Sequence, residues 1–578
     1  MTSRTNAPET VADSRLRTLA LAAQWRQAGK CEEAASLCVT LLEAAPDDVD
    51  ALHLLGILQA QLGRPQEAVR LIQLALNRAP HHVAALSNLA LVLARLGCRE
   101  EALAHYGTAL ALQPGSAEIR NNRGHALLGI GAVLDALADF DQALTLQPDY
   151  ADAHNNRAIA LAQLGRGDEA LASFDRALKL RPDYASALCN RANVFKELNR
   201  FEEALRGYAE AIVTDPSFAE AYNNRGLTLL ELGRVTEAQG DFACAIAIRP
   251  DYAEALHNRA VVALLTGDYL IGWRDYEHRW RIPGFGRRGP PVPAPEWRGE
   301  DLVGKHILVH EEQGLGDVLQ FARFLPVLAS RGARVTFAVR ASLHRQLRSL
   351  AAPLEFVDDA PADASFEFQS ALMSLPGALG LTLRTMRAEV PYLSSDPALV
   401  AKWRERIGVS GLKIGICWQG TLSTDKGRSA PLRQFHCIAA IPGVRLISLQ
   451  KINGLDQLAN LPEGMRVEML GEDFENGPDV FADTAAVMAH LDLVITTDTS
   501  IAHLAGALGR PVWVALKHSA NWRWLLDRSD SPWYPTARLY RQSVRMEWDA
   551  VFERMAADLV QFGVRAAARE ATGPESAR

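Results

Sequence analysis

A spacing of 34 residues governs the first half of this 578-residue chain. Three residue types recur at that interval, and each has a mechanical reason to do so. Gly, and once Asn, tolerates the left-handed turn that ends a helix, Ala lets two helices approach closely, and Pro stops the next helix. The three series are Gly29, Gly63, Gly97, Gly131, Gly165, Asn199, Gly233 and Gly267; Ala34, Ala68, Ala102, Ala136, Ala170, Ala204 and Ala238; and Pro46, Pro80, Pro114, Pro148, Pro182, Pro216 and Pro250.

A unit of two short helices cannot bury its apolar face alone, so such units stack into an array. By period and by the positions of its small residues, the array resembles the tetratricopeptide repeat. We therefore expect an α-solenoid, a superhelix with a concave groove, over residues 15–284. It would hold seven repeats and a partial eighth, preceded by a disordered tail at residues 1–14.

An asparagine series with the same period gives the groove a candidate function. A side-chain amide donates and accepts hydrogen bonds, so a row of amides could hold the backbone of an extended peptide. The alternative is hydrogen bonding between helices of the solenoid. The Arg that follows most of these Asn residues is expected to pair with acids such as Asp141 and Asp175. The asparagine series is Asn88, Asn122, Asn156, Asn190, Asn224 and Asn258.

Composition excludes several classes of protein. The net charge of −7 and the lack of a basic stripe argue against nucleic-acid binding. The sequence contains no run of 18 apolar residues, which a membrane span would need, and the N-terminus lacks the apolar core of a secretion signal. The seven cysteines are scattered, which is typical of reduced thiols. We expect a cytoplasmic protein.

The pattern changes after residue 284. Residues 285–300 are rich in Gly, Pro and Arg and predict a linker. Short apolar runs then alternate with helical patterns, which predicts parallel α/β sheets in two domains, residues 301–395 and 396–562, before a disordered tail at 563–578. The predicted strands are 306–310, 334–339, 413–418, 445–450, 466–470, 491–497 and 512–516.

Two strand ends carry residues suited to chemistry, since ligands of open α/β sheets bind at the carboxyl ends of strands. In the 311–317 loop, Gln313, Gly314 and Gly316 allow a tight turn, and Asp317 could act as a general base for an acceptor hydroxyl. A helix N-terminus stabilises an ionised carboxylate and weakens it as a base. Asp317 as a helix cap is the alternative. The missing third Gly, replaced by Leu319, argues against dinucleotide binding.

The 498–503 loop, the second strand end, begins a helix. Thr499, Ser500 and the free amides there could hold phosphate oxygens, and His503 lies one turn further on. Asp498 is placed to accept hydrogen bonds from sugar hydroxyls. Thr and Ser also cap ordinary helices, so this loop alone is weak evidence.

The segments GDVLQFARFLPVL and DTSIAHLAGALGRPVWVAL together resemble the heptosyltransferase-like glycosyltransferases of the GT-B type. The resemblance implies a GT-B fold of two Rossmann-like domains, an acceptor-side domain followed by a nucleotide-sugar domain. It also implies that Asp317 is the catalytic base, that the 498–503 loop binds the nucleotide sugar, and that the sugar is transferred with inversion. Ser500 replaces the family's usual Gly, and the 301–395 domain is short for the family.

The stretch WQGTLSTDKGRSAP resembles the loop that supplies a basic phosphate contact in that family. Gln419, Lys426 and Arg428 are its candidate nucleotide-sugar contacts, and the choice between Lys426 and Arg428 stays open. A cationic side chain would neutralise the departing diphosphate. No metal and no cofactor beyond the nucleotide sugar is expected. The aromatic residues at 522–534 are expected to pack against the sheet or to stack on the ligand.

The whole architecture resembles bacterial flagellin glycosyltransferases and, more distantly, the O-GlcNAc transferase. That implies an enzyme which transfers a sugar to Ser or Thr of a flagellin-like acceptor protein captured in the repeat groove. One alternative is transfer to lipopolysaccharide or another glycan, with the repeats docking a partner. Another is a non-catalytic repeat scaffold with a nucleotide-binding module.

Overall fold

The computed structural model describes residues 11–572 except 286–291, 361–364, 387–388 and 422–426. The chain divides into two compact units, Met1–Ala221 and Tyr222–Arg578. Among the helices of the described residues, none combines the length and the apolar character that a membrane span needs.

Pairs of helices, each helix 13 or 14 residues long, fill most of the first half after a longer first helix. These helices are α1 (Val11–Gln27), α2 (Cys31–Ala44), α3 (Val49–Gln61), α4 (Pro65–Arg78), α5 (Val83–Arg95), α6 (Arg99–Leu112), α7 (Ala117–Gly129), α8 (Val133–Leu146), α9 (Ala151–Gln163), α10 (Gly167–Leu180), α11 (Ala185–Glu197), α12 (Phe201–Thr214), α13 (Ala219–Glu231), α14 (Val235–Ile248), α15 (Ala253–Thr266) and α16 (Tyr269–Tyr276).

The three periodic series take the roles expected from the sequence. Every member of the alanine series is 0% exposed, where paired helices touch. Every member of the glycine series has positive φ, including Asn199 at 59°. Each proline lies two residues beyond the end of a second helix. Seven helix pairs and an eighth, α15 with α16, therefore follow one another, and the tetratricopeptide prediction is confirmed at the level of its elements.

The first helix starts earlier than the sequence suggested. Residues 11–14, expected in the tail, belong to α1, because the segment from Val11 has few residues that break a helix. The remaining tail residues, 1–10, lie outside the described residues.

The second half contains two wholly parallel sheets. The first has the order β3-β2-β1-β4 and the second the order β10-β9-β8-β5-β6-β7. The strands are β1 (His306–His310), β2 (Arg334–Ala338), β3 (Leu354–Val357), β4 (Phe368–Ala371), β5 (Leu412–Cys417), β6 (Val444–Ser448), β7 (Val467–Glu468), β8 (Leu493–Thr497), β9 (Val512–Leu516) and β10 (Ala537–Arg541).

Helices accompany both sheets. They are α17 (Leu315–Phe321), α18 (Leu325–Ser330), α19 (His344–Leu347), α20 (Leu375–Ala378), α21 (Pro397–Ile407), α22 (His436–Ala439), α23 (Ala482–Met488), α24 (Ser500–Ala507) and α25 (Asp549–Thr572). Helix α25 includes residues 563–572, which the sequence placed in a tail, and residues 573–578 lie outside the described residues.

All seven predicted strands are present, and the sequence missed three others. β3 is a largely half-exposed edge strand, and β4 has no β-branched residue, so neither shows a strong strand pattern. β10 follows an aromatic-rich segment that conceals its start. The predicted division near residues 395–405 coincides with α21, between β4 and β5.

The last repeats pack with the sheets. Trp273 of α16 lies edge-on to Phe321 and Trp522, at 6.3 and 5.4 Å between ring centroids. The guanidinium of Arg279 forms a fully buried ion pair with Glu312, just after β1. The second compact unit therefore begins at Tyr222, inside the repeats, whereas the sequence placed the change at the 285–300 linker.

Candidate functional site

The 311–317 and 498–503 loops lie at the carboxyl ends of β1 and β8 and line one cavity of about 700 Å³. The polypeptide turns sharply at Gln313, whose φ is 60°, before α17 begins. The cavity is lined by Gln313, Gly314, Leu315, Gly316, Asp317, Arg340, Gly420, Thr421, Arg428, Asp498, Thr499, Ser500, His503, Asn521 and Arg523.

Asp317 faces this cavity while making two firm contacts. One carboxylate oxygen accepts a hydrogen bond of 2.9 Å from the backbone N–H of Gly314, and the other pairs with the guanidinium of Arg523. The capping role weighed from the sequence is therefore present. It does not exclude a role toward a ligand, because Asp317 also lines the cavity.

Of the lining residues that sequence reasoning missed, which include Arg340, Thr421 and Asn521, the one in direct contact with Asp317 is Arg523. It lies between Trp522 and Trp524, 206 positions from Asp317, and is only 6% exposed. It also donates to the side-chain oxygen of Gln320 at 2.9 Å. No spacing rule joins residues so far apart in the chain. Only the packing of α17 against the segment after β9 brings them together.

Gly316 in the first loop permits close packing. A Cβ atom on Gly316 would lie 3.0 Å from Cδ2 of His503 and 3.4 Å from Cα of Ser500. The starts of α17 and α24 therefore meet with no room for a side chain. Gln313, by contrast, turns toward the last repeat, where its amide donates to the Tyr276 hydroxyl at 2.8 Å.

Asp498 lies in an electrostatically mixed environment. Burial raises the pKa of its carboxyl, while the Trp524 indole and the positive charges of Arg428 and Arg523 act in the opposite direction. The nearby charge of Asp317 raises that pKa further. Two carboxylates and several guanidinium groups thus share the cavity, an arrangement suited to a ligand with both hydroxyls and anionic oxygens.

His503 is held as a neutral imidazole. Burial lowers the pKa of its ring well below the usual range, and the charges of Arg523, Arg323 and Arg428 lower it further. Its Nδ1 lies 3.0 Å from the Tyr534 hydroxyl, and its ring stacks on Trp524 with 5.5 Å between centroids. The ring is therefore fixed in place and can offer a hydrogen bond without carrying a charge.

Helix α24 begins in the cavity. Thr499 is its N-cap residue, but within the described structure its side chain does not cap the helix and lies 3.0 Å from the Thr496 hydroxyl. Ser500 follows and lines the cavity. An anion bound at this point of the cavity would therefore meet the first backbone amides of α24 and the positive end of the helix dipole.

The third predicted contact segment is only partly described. Arg428 lines the cavity, whereas Lys426 lies outside the described residues. Gln419 is not among the lining residues. Its amide oxygen accepts a 2.9 Å hydrogen bond from Gln457, and its contact with a ligand stays a prediction.

The aromatic residues after β9 are packed in the interior. Trp522, Trp524, Trp533 and Tyr534 are at most 4% exposed and belong to the main core of the second unit. Of the two roles considered from the sequence, packing is therefore confirmed.

Four members of the asparagine series make side-chain contacts between repeats. Asn156 donates to Asn121 at 3.0 Å, and Asn258 donates to Asn223 at 2.8 Å. Asn88 lies 3.0 Å from a ring nitrogen of His53, and Asn190 donates to Asn155 at 3.4 Å. Asn122 and Asn224 instead accept from Asn121 and Asn223, their neighbours in the same helix. A structural role is thus present for these amides, and peptide binding stays a prediction.

The arginines that follow the asparagine series pair with acids, as the sequence predicted. Arg157 binds Asp141 at 2.6 Å, and Arg191 binds Asp175 at 2.7 Å. Their partners are therefore inside the repeats.

Protein-family models match segments in both halves of the chain. Five tetratricopeptide repeat models match residues 26–96, 83–116, 121–185, 192–233 and 219–252. Residues 456–516 match the model of glycosyltransferase family 9 (heptosyltransferase), a range that contains the 498–503 loop. The chain joins tetratricopeptide repeats to a heptosyltransferase-family segment. That segment supports a glycosyltransferase, and its match does not extend to Asp317 or Arg428.

Among individual proteins, the chain is 28% identical over 327 residues to Protein FlbA of Caulobacter vibrioides. The match covers 52% of this chain and spans about half, 54%, of that relative.

Solved structures of tetratricopeptide repeat proteins are similar to part of the chain. A tetratricopeptide repeat protein from Parabacteroides merdae is 21% identical with a TM-score of 0.38, covering 43% of this chain and 97% of that one. TTC0263 of Thermus thermophilus is 28% identical with a TM-score of 0.29, covering 32% and 99%.

Proposed function

We propose that this chain transfers a sugar from a nucleotide-sugar donor to Ser or Thr hydroxyls of an acceptor protein bound by the repeats. The observation that carries this proposal is the shared cavity. Asp317 enters it from the first sheet, and Asp498, Ser500 and His503 enter it from the second. A GT-B arrangement, with the donor between two parallel-sheet domains, would use the cavity in this way.

In this mechanism the acceptor hydroxyl oxygen attacks the anomeric carbon of the donor sugar. The bond from that carbon to the diphosphate oxygen breaks, and the configuration at carbon inverts. Asp317 takes the hydroxyl proton as general base. The carboxylate must therefore face the acceptor side of the cavity, which its position at the start of α17 allows.

The departing diphosphate carries the negative charge. Arg428 and the first amides of α24 would stabilise it, a role that some glycosyltransferases give to a metal ion. The neutral imidazole of His503 would add a hydrogen bond, and Asp498 would accept hydrogen bonds from sugar hydroxyls. Transfer would then proceed without a metal.

The acceptor assignment rests on the repeats, which suggest a protein-binding role. A flagellin-like protein is the first candidate to test. Transfer to a glycan such as lipopolysaccharide is the competing assignment, with the repeats serving only to dock a partner.

Substitution of the two acids tests the chemistry. Asp317→Asn and Asp498→Asn should each slow transfer to acceptor protein by about 100-fold or more, because the first removes the base and the second removes the group that accepts hydrogen bonds from the donor sugar. Glu472→Gln, at an exposed acid of the same unit, is the control and should transfer at the wild-type rate. Wild-type turnover in both acid variants would refute the mechanism.

A binding screen narrows the donor. Thermal shifts with UDP, GDP, CDP, ADP and CMP should single out one nucleotide, and Arg428→Gln should weaken its binding by about tenfold. Equal and negligible shifts with all five nucleotides would argue against a nucleotide-sugar enzyme.

Removal of residues 1–216 separates the two acceptor classes. The cut precedes α13 and keeps intact the repeats that pack with the sheets. A protein-directed enzyme should keep donor hydrolysis and lose transfer to its acceptor protein. An enzyme that acts on a small glycan should keep transfer.

A further inference from the structure

Residues 521–534, here the 521–534 segment, contact both loops of the cavity. Arg523 pairs with Asp317 in the 311–317 loop. Tyr534 lies 3.0 Å from Nδ1 of His503 in the 498–503 loop, and Trp524 stacks on the same imidazole. One piece of chain therefore touches the candidate base and the candidate donor site.

Arg523 is a rigid member of this segment. Its own backbone N–H and one guanidinium nitrogen both donate to the side-chain oxygen of Asn521, at 3.2 and 2.9 Å. A second nitrogen donates to Gln320 at 2.9 Å, and the third pairs with Asp317. The planar fork of a guanidinium fixes all three directions at once, which a lysine ammonium cannot do.

Helix α17 is gripped by the same side chain at two points. Asp317 and Gln320 lie one turn apart on α17, and both bind Arg523. The orientation of the Asp317 carboxylate therefore depends on a residue from the second sheet domain. An error of about 1 Å in a catalytic group can slow a reaction about 100-fold.

We propose that Arg523 is a positioning residue that aims Asp317 at the acceptor hydroxyl and ties its placement to the donor side of the cavity. This proposal rests on the proposed function, in which Asp317 is the base. It differs from a direct role for Arg523 in binding the donor phosphates, which its place in the cavity wall would also allow.

A double-mutant cycle separates the two roles. Arg523→Gln should lower kcat by about 100-fold, while the Kd of the nucleoside diphosphate changes by less than about threefold. Arg523→Lys should recover only a small part of kcat, because it keeps the charge and loses the fork. Asp317→Glu keeps a carboxylate but moves it by one methylene, so measurable turnover remains.

In the Asp317→Glu background, Arg523→Gln should cost less than about threefold, because the alignment it supports is already lost. A loss of about 100-fold in both backgrounds, or a nucleotide Kd raised tenfold or more by Arg523→Gln, would overturn the proposal. The second result would assign Arg523 to phosphate binding.

Arg323 offers a matched control. It donates to the backbone oxygen of Trp533 at 2.9 Å and to the Tyr392 hydroxyl at 3.0 Å, so it also fastens the 521–534 segment. Among the hydrogen bonds and ion pairs of the described residues, none joins it to Asp317. Arg323→Gln should lower Tm. Its effect on kcat and the effect of Asp317→Glu should simply multiply in the double variant, as independent effects do. Coupling equal to that of Arg523 would show general loosening instead of positioning.

Failure of the two proposals can be told apart. If Asp317→Asn transfers sugar at the wild-type rate, Asp317 is not the base, and both proposals fall. If Asp317→Asn is inactive while Arg523→Gln has wild-type kcat, only the positioning role is refuted.

Discussion

Polar side chains are organised differently in the repeats and in the sheets. In the repeats, Arg157 reaches Asp141 only 16 positions away, and the same kind of pair recurs along the array. In the sheets, Asp317 reaches Arg523 across 206 positions, and the contact occurs once. Two of the repeat acids, Asp141 at 51% and Asp175 at 63%, are more exposed than Asp317 at 18%, whereas the repeat acids Asp139, Asp241 and Asp275 are only 3–8% exposed.

The difference indicates how strongly each half depends on any single contact. Repeated local contacts add small increments that any one repeat can lose. A convergent buried site depends on every member, because an unpaired buried charge is costly. Substitutions should therefore be mild at exposed repeat pairs and severe at buried contacts between distant segments, and the following comparisons test that contrast from the largest effect to the smallest.

The buried pair Arg279–Glu312 should give the largest effect. Both side chains are 0% exposed, and Glu312 also accepts a hydrogen bond from the Met373 backbone. Glu312→Gln removes the buried partner of Arg279 and leaves it only the half-exposed Glu277, 2.8 Å away, so it should cost about 3–5 kcal/mol of unfolding free energy. In the repeats, Asp141→Asn should cost about 0–1 kcal/mol. Chemical denaturation of both variants measures this, and equal losses would break the contrast.

The success of the sequence predictions also differs between the repeats and the sheets. The 34-residue period alone predicted the turn at Asn199 and the partners of Arg157 and Arg191, because the same contacts recur in each repeat. The strand-end rule found Asp317 and the 498–503 loop, because parallel strands present their carboxyl ends on one edge. Arg523 was missed, since a contact made by folding between distant segments leaves no local pattern.

A pair of glycines tests packing in the two halves. A Cβ on Gly316 would press on His503, which Tyr534 and Trp524 hold in place, so Gly316→Ala should cost about 1–3 kcal/mol and lower transfer. Gly107, inside α6, has no atom within 4 Å of such a Cβ. Gly107→Ala should stabilise by about 0.5–1 kcal/mol, because Ala favours the helix. A neutral Gly316→Ala would mean that α17 and α24 can separate at little cost.

Acidification should weaken the repeats through one buried histidine. In the repeats, burial lowers the pKa of His53 to about 4, with His82 and Arg26 adding to the effect and Asp50 opposing it. A histidine near 6.5 when unfolded then binds its proton only in the unfolded chain as pH falls from about 6.5 to 4. Stability from this group is present above that range and is lost within it, by about 1–2 kcal/mol at pH 5.

In the second unit, buried groups act in both directions. Burial lowers the pKa of His257 to about 4 and holds the pKa of His503 well below its usual range, but burial also raises the pKa of Asp498 and Glu475, which then bind protons more readily in the folded state. The test is therefore made on His53 itself. Hydrogen exchange at pH 7 and pH 5, corrected for intrinsic rates, should show a loss of protection in α3 that His53→Gln largely removes. An equal loss in the variant would contradict the assignment.

Substitution in the asparagine series should give the smallest effect, and it tests whether the series binds peptide. Asn156 donates to Asn121 and accepts from Asn155, contacts that leave an amide capacity for further hydrogen bonds. Asn156→Ala should therefore cost about 1 kcal/mol of stability and weaken acceptor binding by about three- to tenfold. Arg166→Ala, which removes an exposed pair with Glu169, is the control and should change neither quantity appreciably. Lost stability with unchanged acceptor affinity would leave the series a purely structural role, and the repeats would then need another surface to recognise a protein.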